Sequence, residues 1–456
     1  MNTILSENKN LIINQTKKIN ADEVHRILSK HMLADGFDIV LDLDKSSGAT
    51  IVDELNGDEY LDFFTFFASS PIGLNHPYLQ SSEVKQMLAN VAVNKPSNSD
   101  IYTTYMADFV DTFARIAKPD FMKYLFFISG GALAVENGLK VAFDWKVRKN
   151  FLKGYNEEKG HKVIHFKEAF HGRSGYTMSL TNTDPTKVKY FPKFDWPRIV
   201  NPKIKFPIAN NLDEIIKIEN QAIGEINDAI KNNLDDIAVI IIEPIQAEGG
   251  DNYFRKEFFI KLREIADANE ILLMFDEVQT GFGITGKFWA FEHYVKPDII
   301  AFGKKAQVCG IMVSDRIDDI PDHCFKVSSR INSTWGADLT DMVRSKLMLV
   351  VIESENLVSN SEIVGKHLIS CLFDLQNEFP EMISNIRGLG LMCSFDFKTA
   401  EMRNHFRDIA YKEKLLILGC GEKSIRFRPA LNITENEIDK GLDIIKKVLS
   451  FMVSNN

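Results

Sequence analysis

From about residue 123 onward, short unbroken apolar runs alternate with longer segments in which apolar residues recur at three- and four-residue steps. KYLFFISG (123–130) precedes ALAVENGLKVAFDWKVRKN (132–150), IAVIIIEPI (237–245) precedes FRKEFFIKLREIADANE (254–270), and ILLMFDEV (271–278) leads through a connector to DIIAFGK (298–304). Unbroken β-rich runs are the mark of strands buried on both faces, and the helix-period segments between them supply the cover. The pattern therefore predicts an α/β fold with a large, mostly parallel sheet. The first hundred residues differ: VLDLDKSSGATIVDELNGDEYLDFF (40–64) predicts an antiparallel meander turned at Ser-Gly and Asn-Gly. After about 335 a long helical pattern, TDMVRSKLMLVVIESENL (340–357), leads to GLGLMCSFDF, LLILGCG and IRFRPAL, which read as strands of a second, smaller layer. The polar stretch 203–235 reads as irregular or helical surface. These shifts divide the chain into an N-terminal segment of a small domain (1–75), a large domain (76–335) and the C-terminal remainder of the small domain (336–456).

Composition narrows the function classes. The chain has 456 residues, 45% hydrophobic and 26% charged, which suits a soluble globular protein with a sizeable core. The net charge of −9 is spread without long blocks, so no nucleic-acid footprint is expected and small-molecule chemistry is. Five widely spaced cysteines form no CxxC pair and suggest a reducing compartment. Charged and amide residues interrupt MNTILSENKNLIINQTKKIN, so it does not read as a signal peptide, and no run reaches the roughly 20 apolar residues of a membrane span. The expected location is the cytoplasm, where the sequons at Asn14, Asn332 and Asn432 would be chance matches.

The first candidate chemistry is a decoy. GFGITGK (281–287) matches GxGxxG and nearly matches a P-loop, with Phe288 where a magnesium-binding Ser or Thr belongs. A phosphate-binding glycine loop must leave its strand directly and open a helix, whereas Asp276 to Thr280 intervene. The stronger signal is that two apolar runs end in charge, one at Asp276 and one 28 residues later at the pair Lys304–Lys305. Ligands of open α/β sheets gather at the carboxyl ends of strands. There a carboxylate beneath a pyridine nitrogen and a lysine amine make the chemistry of pyridoxal 5'-phosphate. Two further elements fit. SGGALAVENGLK (129–140) follows a strand and opens a helix, so the amides of Gly131 and Ala132 face where a phosphate would sit. Phe170, in HFKEAFHGRSGYT, follows another strand and suits a flat ring, with Arg173 nearby. Each has a bland alternative: a turn-capping Asp, a solvated Lys, a tight glycine turn, a core Phe and a surface Arg. His161, His165 and His171 have no metal-ligand spacing, and no metal is expected.

Together these residues resemble the class III (ω-amino) aminotransferases of PLP fold type I. SGGALAVENGLK, AFHGRSGYT, EPIQAEGG, FDEVQTGFG, FGKK and IRFRPAL occur in family order from about residue 30 to 445. Longer strings (FFTFFASSPIGLNHP, NKPSNSDIY, HGRSGYTMSLTNT, FPKFDWPRI, FGKKAQVCG, NSTWGADLTDMVRS) look more specifically like the branch that acts on the ε-amine of L-lysine. The resemblance implies that Lys304 binds the cofactor covalently and Asp276 partners its ring nitrogen. It also implies that Gln279 approaches the ring hydroxyl, Phe170 stacks on the ring, and Gly131 with Ala132 holds the phosphate. Asn332 and Thr334 would reach the phosphate of the other subunit in a homodimer. For L-lysine and 2-oxoglutarate as substrates, it implies that Arg173 binds the distal carboxylate, while Glu248 masks Arg426 in one half-reaction and releases it in the other. Neighbouring lysines on a strand face opposite ways, so Lys305 is expected outside the pocket. Ala247, where a glycine is usual, and Phe67, expected to line the substrate channel, are departures that bear on chain-length preference. An ornithine or 4-aminobutyrate aminotransferase is the alternative within the class. A nucleotide-binding protein, or a binding scaffold without turnover, is the alternative outside it.

Overall fold

A computed structural model describes residues 19–455, so most of the expected non-leader N-terminus and the sequon at Asn14 lie outside the described residues. Two short strands, β1 (Thr50–Val52) and β2 (Glu59–Asp62), form the expected antiparallel hairpin, turned through Asn56-Gly57. The large sheet holds β3 (Met122–Ile128), β4 (Lys162–Phe166), β5 (Arg198–Ile199), β6 (Ile237–Ile242), β7 (Leu272–Asp276), β8 (Ile299–Phe302) and β9 (Cys309–Ser314). Their spatial order is β3-β9-β8-β7-β6-β4-β5, with every pairing parallel except those of β9, which runs against both neighbours. The sheet is thus mixed at one place. Between β8 and β9 lies a connection far shorter than the dozen or more residues a parallel crossover requires, so the chain turns straight back.

The residues of β7 and β8 alternate between two apolar clusters. Leu272, Met274, Ile299 and Ala301 pack on one side, while Leu273, Phe275, Ile300 and Phe302 pack on the other. All eight are fully buried; fully burying a large aliphatic or aromatic side chain contributes about 1.5–3 kcal/mol. The helix Gly131–Leu152 lies across one face, and a Cβ on Gly138 would stand 2.5 Å from Met274 Cε. Glycine there lets the helix approach β7 closely, which also fixes where its first turn points. The stretch 203–235, read as irregular or helical surface, carries a 25-residue helix, Ile208–Asn232.

The smaller layer contains β10 (Ile383–Leu389), β11 (Met392–Phe397), β12 (Leu415–Leu416), β13 (Leu418–Cys420) and β14 (Ser424–Arg426). Four of them form an antiparallel sheet ordered β10-β11-β14-β13, while β12 pairs in parallel with β2 and so ties the two ends of the chain together.

Candidate active site

The carboxyl ends of β3, β4, β6, β7 and β8 open on one edge of the large sheet, the edge where ligands of such sheets bind. Asp276 is the last residue of β7, Lys304 lies two residues past β8, Gly131 opens the helix after β3, and Phe170 lies four residues past β4. The four elements read separately along the sequence therefore converge.

The lysine pair does not sit on a strand, as expected from the sequence, but in a 3₁₀ turn, Lys304–Ala306, that reverses the chain from β8 into β9. Lys304 has φ 50°, in the left-handed region. The two amines still part company, for a different reason than strand alternation. Lys305 is buried, and its Nζ donates to the Gln279 carbonyl at 2.6 Å. Lys304 instead lies in the field of Arg426, Glu248, Arg428 and Asp276; burial, aided by the Arg426 cation, pushes its amine down to about 8.

Asp276 is buried with both oxygens engaged. Oδ1 accepts from the Val278 amide at 3.1 Å, and Oδ2 lies 2.8 Å from Nδ1 of the buried His171. A carboxylate only accepts, so His171 Nδ1 carries the proton. His171 Nε2 is buried without a partner. The spacing of this histidine carries no metal signature, so nothing but its adjacency to Phe170 marks it in the sequence. Glu243, just beyond β6, was also missed. It accepts from the Phe170 amide at 2.9 Å and the Ala247 amide at 3.1 Å, and burial raises its carboxyl to about 7.

Gln279 Oε1 accepts from Arg428 Nε at 2.9 Å, and Arg428 is in turn paired with buried Asp251. This fixes the amide so that its NH₂ remains a free donor. Glu248 Oε2 accepts from Arg426 Nη1 at 2.9 Å, so the two residues predicted to pair do so. A residue that was not predicted joins them: Lys187 Nζ donates to Glu248 Oε1 at 2.6 Å and stands 5.3 Å from the centre of the Phe170 ring. Arg173 is exposed and makes no hydrogen bond or ion pair among the described residues. Asn332 and Thr334 are exposed: Asn332 Oδ1 accepts from the adjacent Ser333 amide, and the Thr334 carbonyl accepts from Ser97 Oγ, a residue distant in sequence.

Phe67 lies with its ring 5.9 Å from the Arg426 guanidinium. It belongs to four consecutive non-glycine residues, Thr65 to Ala68, with φ from 42° to 64°. A left-handed turn of this kind costs roughly 1–2 kcal/mol per residue. Buried Asp62 offsets part of that cost by accepting from the Phe64 and Thr65 amides at 2.8 Å each, and Gln307 of the lysine turn donates to the Ser69 carbonyl at 2.6 Å. The strained turn and the lysine turn hold each other.

The residues present suit a phosphorylated pyridine aldehyde. An unpaired buried imidazole nitrogen, a carboxylate at a strand end and a half-buried amine of low basicity surround the strand edge, beside a helix start whose first amides have no intrahelical acceptor. Gly172, at φ 121°, brings the Phe170–Arg173 segment against that helix start: a Cβ there would stand 2.5 Å from Ala132 Cβ.

Comparison with known proteins agrees. The model of the class III aminotransferase family matches residues 33–449. The L-lysine-epsilon aminotransferase of Mycobacterium tuberculosis is 48% identical over 94% of this chain and 95% of its own length, and that of Streptomyces clavuligerus is 46% identical over 94% of each. A solved structure of lysine aminotransferase from M. tuberculosis in the internal aldimine form superposes with a TM-score of 0.93 at 46% identity, covering 95% of this chain and all of that one. The mouse mitochondrial 4-aminobutyrate aminotransferase is more distant, at 32% identity over 89% of this chain.

Proposed function

The chain belongs to the class III aminotransferases, and from that membership we propose that it moves the ε-amino group of L-lysine to 2-oxoglutarate, giving 2-aminoadipate 6-semialdehyde and L-glutamate. Pyridoxal 5'-phosphate is the cofactor; when bound, it supplies an aldehyde that takes up the amino group and a ring that draws electrons from the carbon losing its proton. The choice of lysine rests on the gap between 48% identity to lysine-named relatives and 32% to a 4-aminobutyrate-named one.

In this reading Lys304 Nζ holds the cofactor at rest, takes the proton from the substrate carbon and returns it at the other end of the transfer. Asp276, oriented by His171, keeps the ring nitrogen protonated. The Gly131 and Ala132 amides take the phosphate, Phe170 stacks on the ring, and Gln279 donates to its hydroxyl. Arg173 binds the carboxylate far from the reacting atom. Asn332 and Thr334 complete the phosphate site of a second subunit, which makes a homodimer the working unit; their exposure in the single chain supports this. The five unpaired cysteines support a cytoplasmic location. Our proposed division at residues 75 and 335 is supported by the β2–β12 pairing.

One observation carries the two-substrate reading: Arg426, buried at 3% side-chain exposure, is neutralised by Glu248. An unpaired guanidinium in that pocket would be costly and would repel an ammonium-bearing substrate, whereas the pair opens once a second carboxylate competes. Glu248→Ala should therefore slow the lysine half-reaction more than the 2-oxoglutarate one, by about tenfold if one charge-assisted hydrogen bond is lost. Equal slowing of both, in single-turnover measurements, would falsify the switch. The substrate is tested by the visible spectrum of the purified protein with L-lysine, L-ornithine or 4-aminobutyrate and no oxo acid. Bleaching of the yellow band chiefly by L-lysine is expected. Bleaching chiefly by another amine keeps the class and reassigns the substrate.

The lowered Lys304 basicity has its own consequence. Burial disfavours the cation, so the neutral amine predominates above about pH 8 instead of near the ordinary lysine value of 10.5. Cofactor uptake by the cofactor-free protein, followed by absorbance, should accelerate with pH and level off above about 8. A rate that keeps climbing toward pH 10 would show that Lys304 behaves as an ordinary lysine.

A further inference from the structure

When a 2-oxo dicarboxylate takes Arg426, the Glu248 carboxylate must go somewhere. Its Oε2 meets Arg426 at 2.9 Å and its Oε1 already meets Lys187 Nζ at 2.6 Å, so the acid bridges two cations. The two differ in solvent access: the Arg426 side chain is 3% exposed, Lys187 23% and Glu248 27%. Arg426 thus marks the dry end of the bridge and Lys187 the end at the water's edge. Although burial alone would raise the Glu248 carboxyl, Arg426 and Lys187 together hold it below its ordinary value.

Lys187 is placed by a built turn. Asp184 caps the short 3₁₀ segment Pro185–Lys187 through Oδ1, which accepts from the Thr186 amide at 2.8 Å, and the Lys189 amide closes it onto the Pro185 carbonyl at 2.9 Å. Just before it, Asn182 is tied to the end of β4, donating to the Phe166 carbonyl at 3.1 Å and accepting from the Glu168 amide at 2.7 Å. Glu248 is the only acid paired with Lys187 among the described residues.

We propose that Lys187 is the second docking point of Glu248: once a dicarboxylate occupies Arg426, Glu248 stays on Lys187, and this residue sets how readily the second substrate is admitted. The inference rests on the two-substrate reading above. Without Lys187, the displaced carboxylate would leave Arg426 with no partner to receive it, so binding of the oxo acid alone would bear the cost. Lys187 is a positioning residue, acting on substrate only through Glu248.

The test uses the holoenzyme with Lys187→Met and Lys187→Arg. Lys187→Met should raise the KM for 2-oxoglutarate about tenfold, and weaken calorimetric binding of the unreactive dicarboxylate glutarate by a similar factor, while the lysine half-reaction changes far less. Lys187→Arg should restore both, and in a Glu248→Gln background Lys187→Met should add nothing. If Lys187→Met lowers the Tm, Lys187→Gln is judged by the same ratio of half-reactions. Equal slowing of both half-reactions would overturn the proposal and place Lys187 as a prop of the Phe170 ring. Unchanged glutarate binding overturns it as well. A Glu248→Gln enzyme that treats both half-reactions alike overturns the switch and the role of Lys187 with it. If Glu248→Gln separates the half-reactions and Lys187→Met does not, only Lys187 is overturned.

Discussion

Lys304→Ala is expected to lower glutamate production from L-lysine and 2-oxoglutarate by at least about 10⁴-fold, because in the proposed mechanism one side chain is both covalent anchor and proton carrier. The neighbouring amine cannot take over. Lys305 is buried, donates to the Gln279 carbonyl at 2.6 Å, and is pushed well below ordinary lysine basicity by burial and by the Arg428 and Lys304 cations. Lys305→Met should therefore act on stability, at about 1–3 kcal/mol for an orphaned buried carbonyl, with turnover retained. Partial recovery of the Lys304→Ala enzyme by added small primary amines would separate lost proton transfer from misfolding. The reverse pattern, with Lys305 essential and Lys304 dispensable, would reassign the site.

Asp276→Asn is expected to be the next most damaging change. It keeps size and shape but removes the negative charge at the end of β7, in a buried site where breaking one side of a charged pair costs about 3–5 kcal/mol. That corresponds to about 10²–10⁴ in kcat/KM. The loss should be the same for every amino donor and for both half-reactions, since in the proposed mechanism the carboxylate acts on the ring and not on the substrate's tail. This uniformity distinguishes it from Glu248→Ala in the same single-turnover measurement. A loss confined to one substrate would mean that Asp276 contacts substrate.

These residues were legible in the sequence because unbroken apolar runs that stop at a charge mark the ends of buried strands, and Asp276 and Lys304 stop two such runs. The α/β class and the hairpin at Asn56-Gly57 followed from the same periodicities. The reversed direction of β9 did not, since an apolar run carries no direction; the short segment between Phe302 and Cys309, too brief for a crossover, was the available signal. The link from His171 to Asp276 spans 105 residues and exists only once β4 and β7 share a sheet. Lys187 lies in a polar loop with no periodicity, and its partner Glu248 is 61 residues away. The left-handed turn at Thr65–Ala68 was hidden for another reason: none of its residues is a glycine or an asparagine, the types that advertise such backbone.

The turn that carries Lys304 joins two strands that pair with each other directly, and this bears on how the site is assembled as the chain folds. The β8–β9 hairpin closes a short loop, and β7 is near in sequence, so the edge bearing Asp276 and Lys304 is built from inexpensive closures. By contrast β3, which leads into the Gly131 helix start, reaches β9 only by closing the chain from Ile128 to Cys309. Non-local pairings of that kind are the slow steps of folding. The lysine and the carboxylate can therefore come into register before the Gly131 and Ala132 amides arrive, so the proposed grip on the cofactor phosphate is completed late.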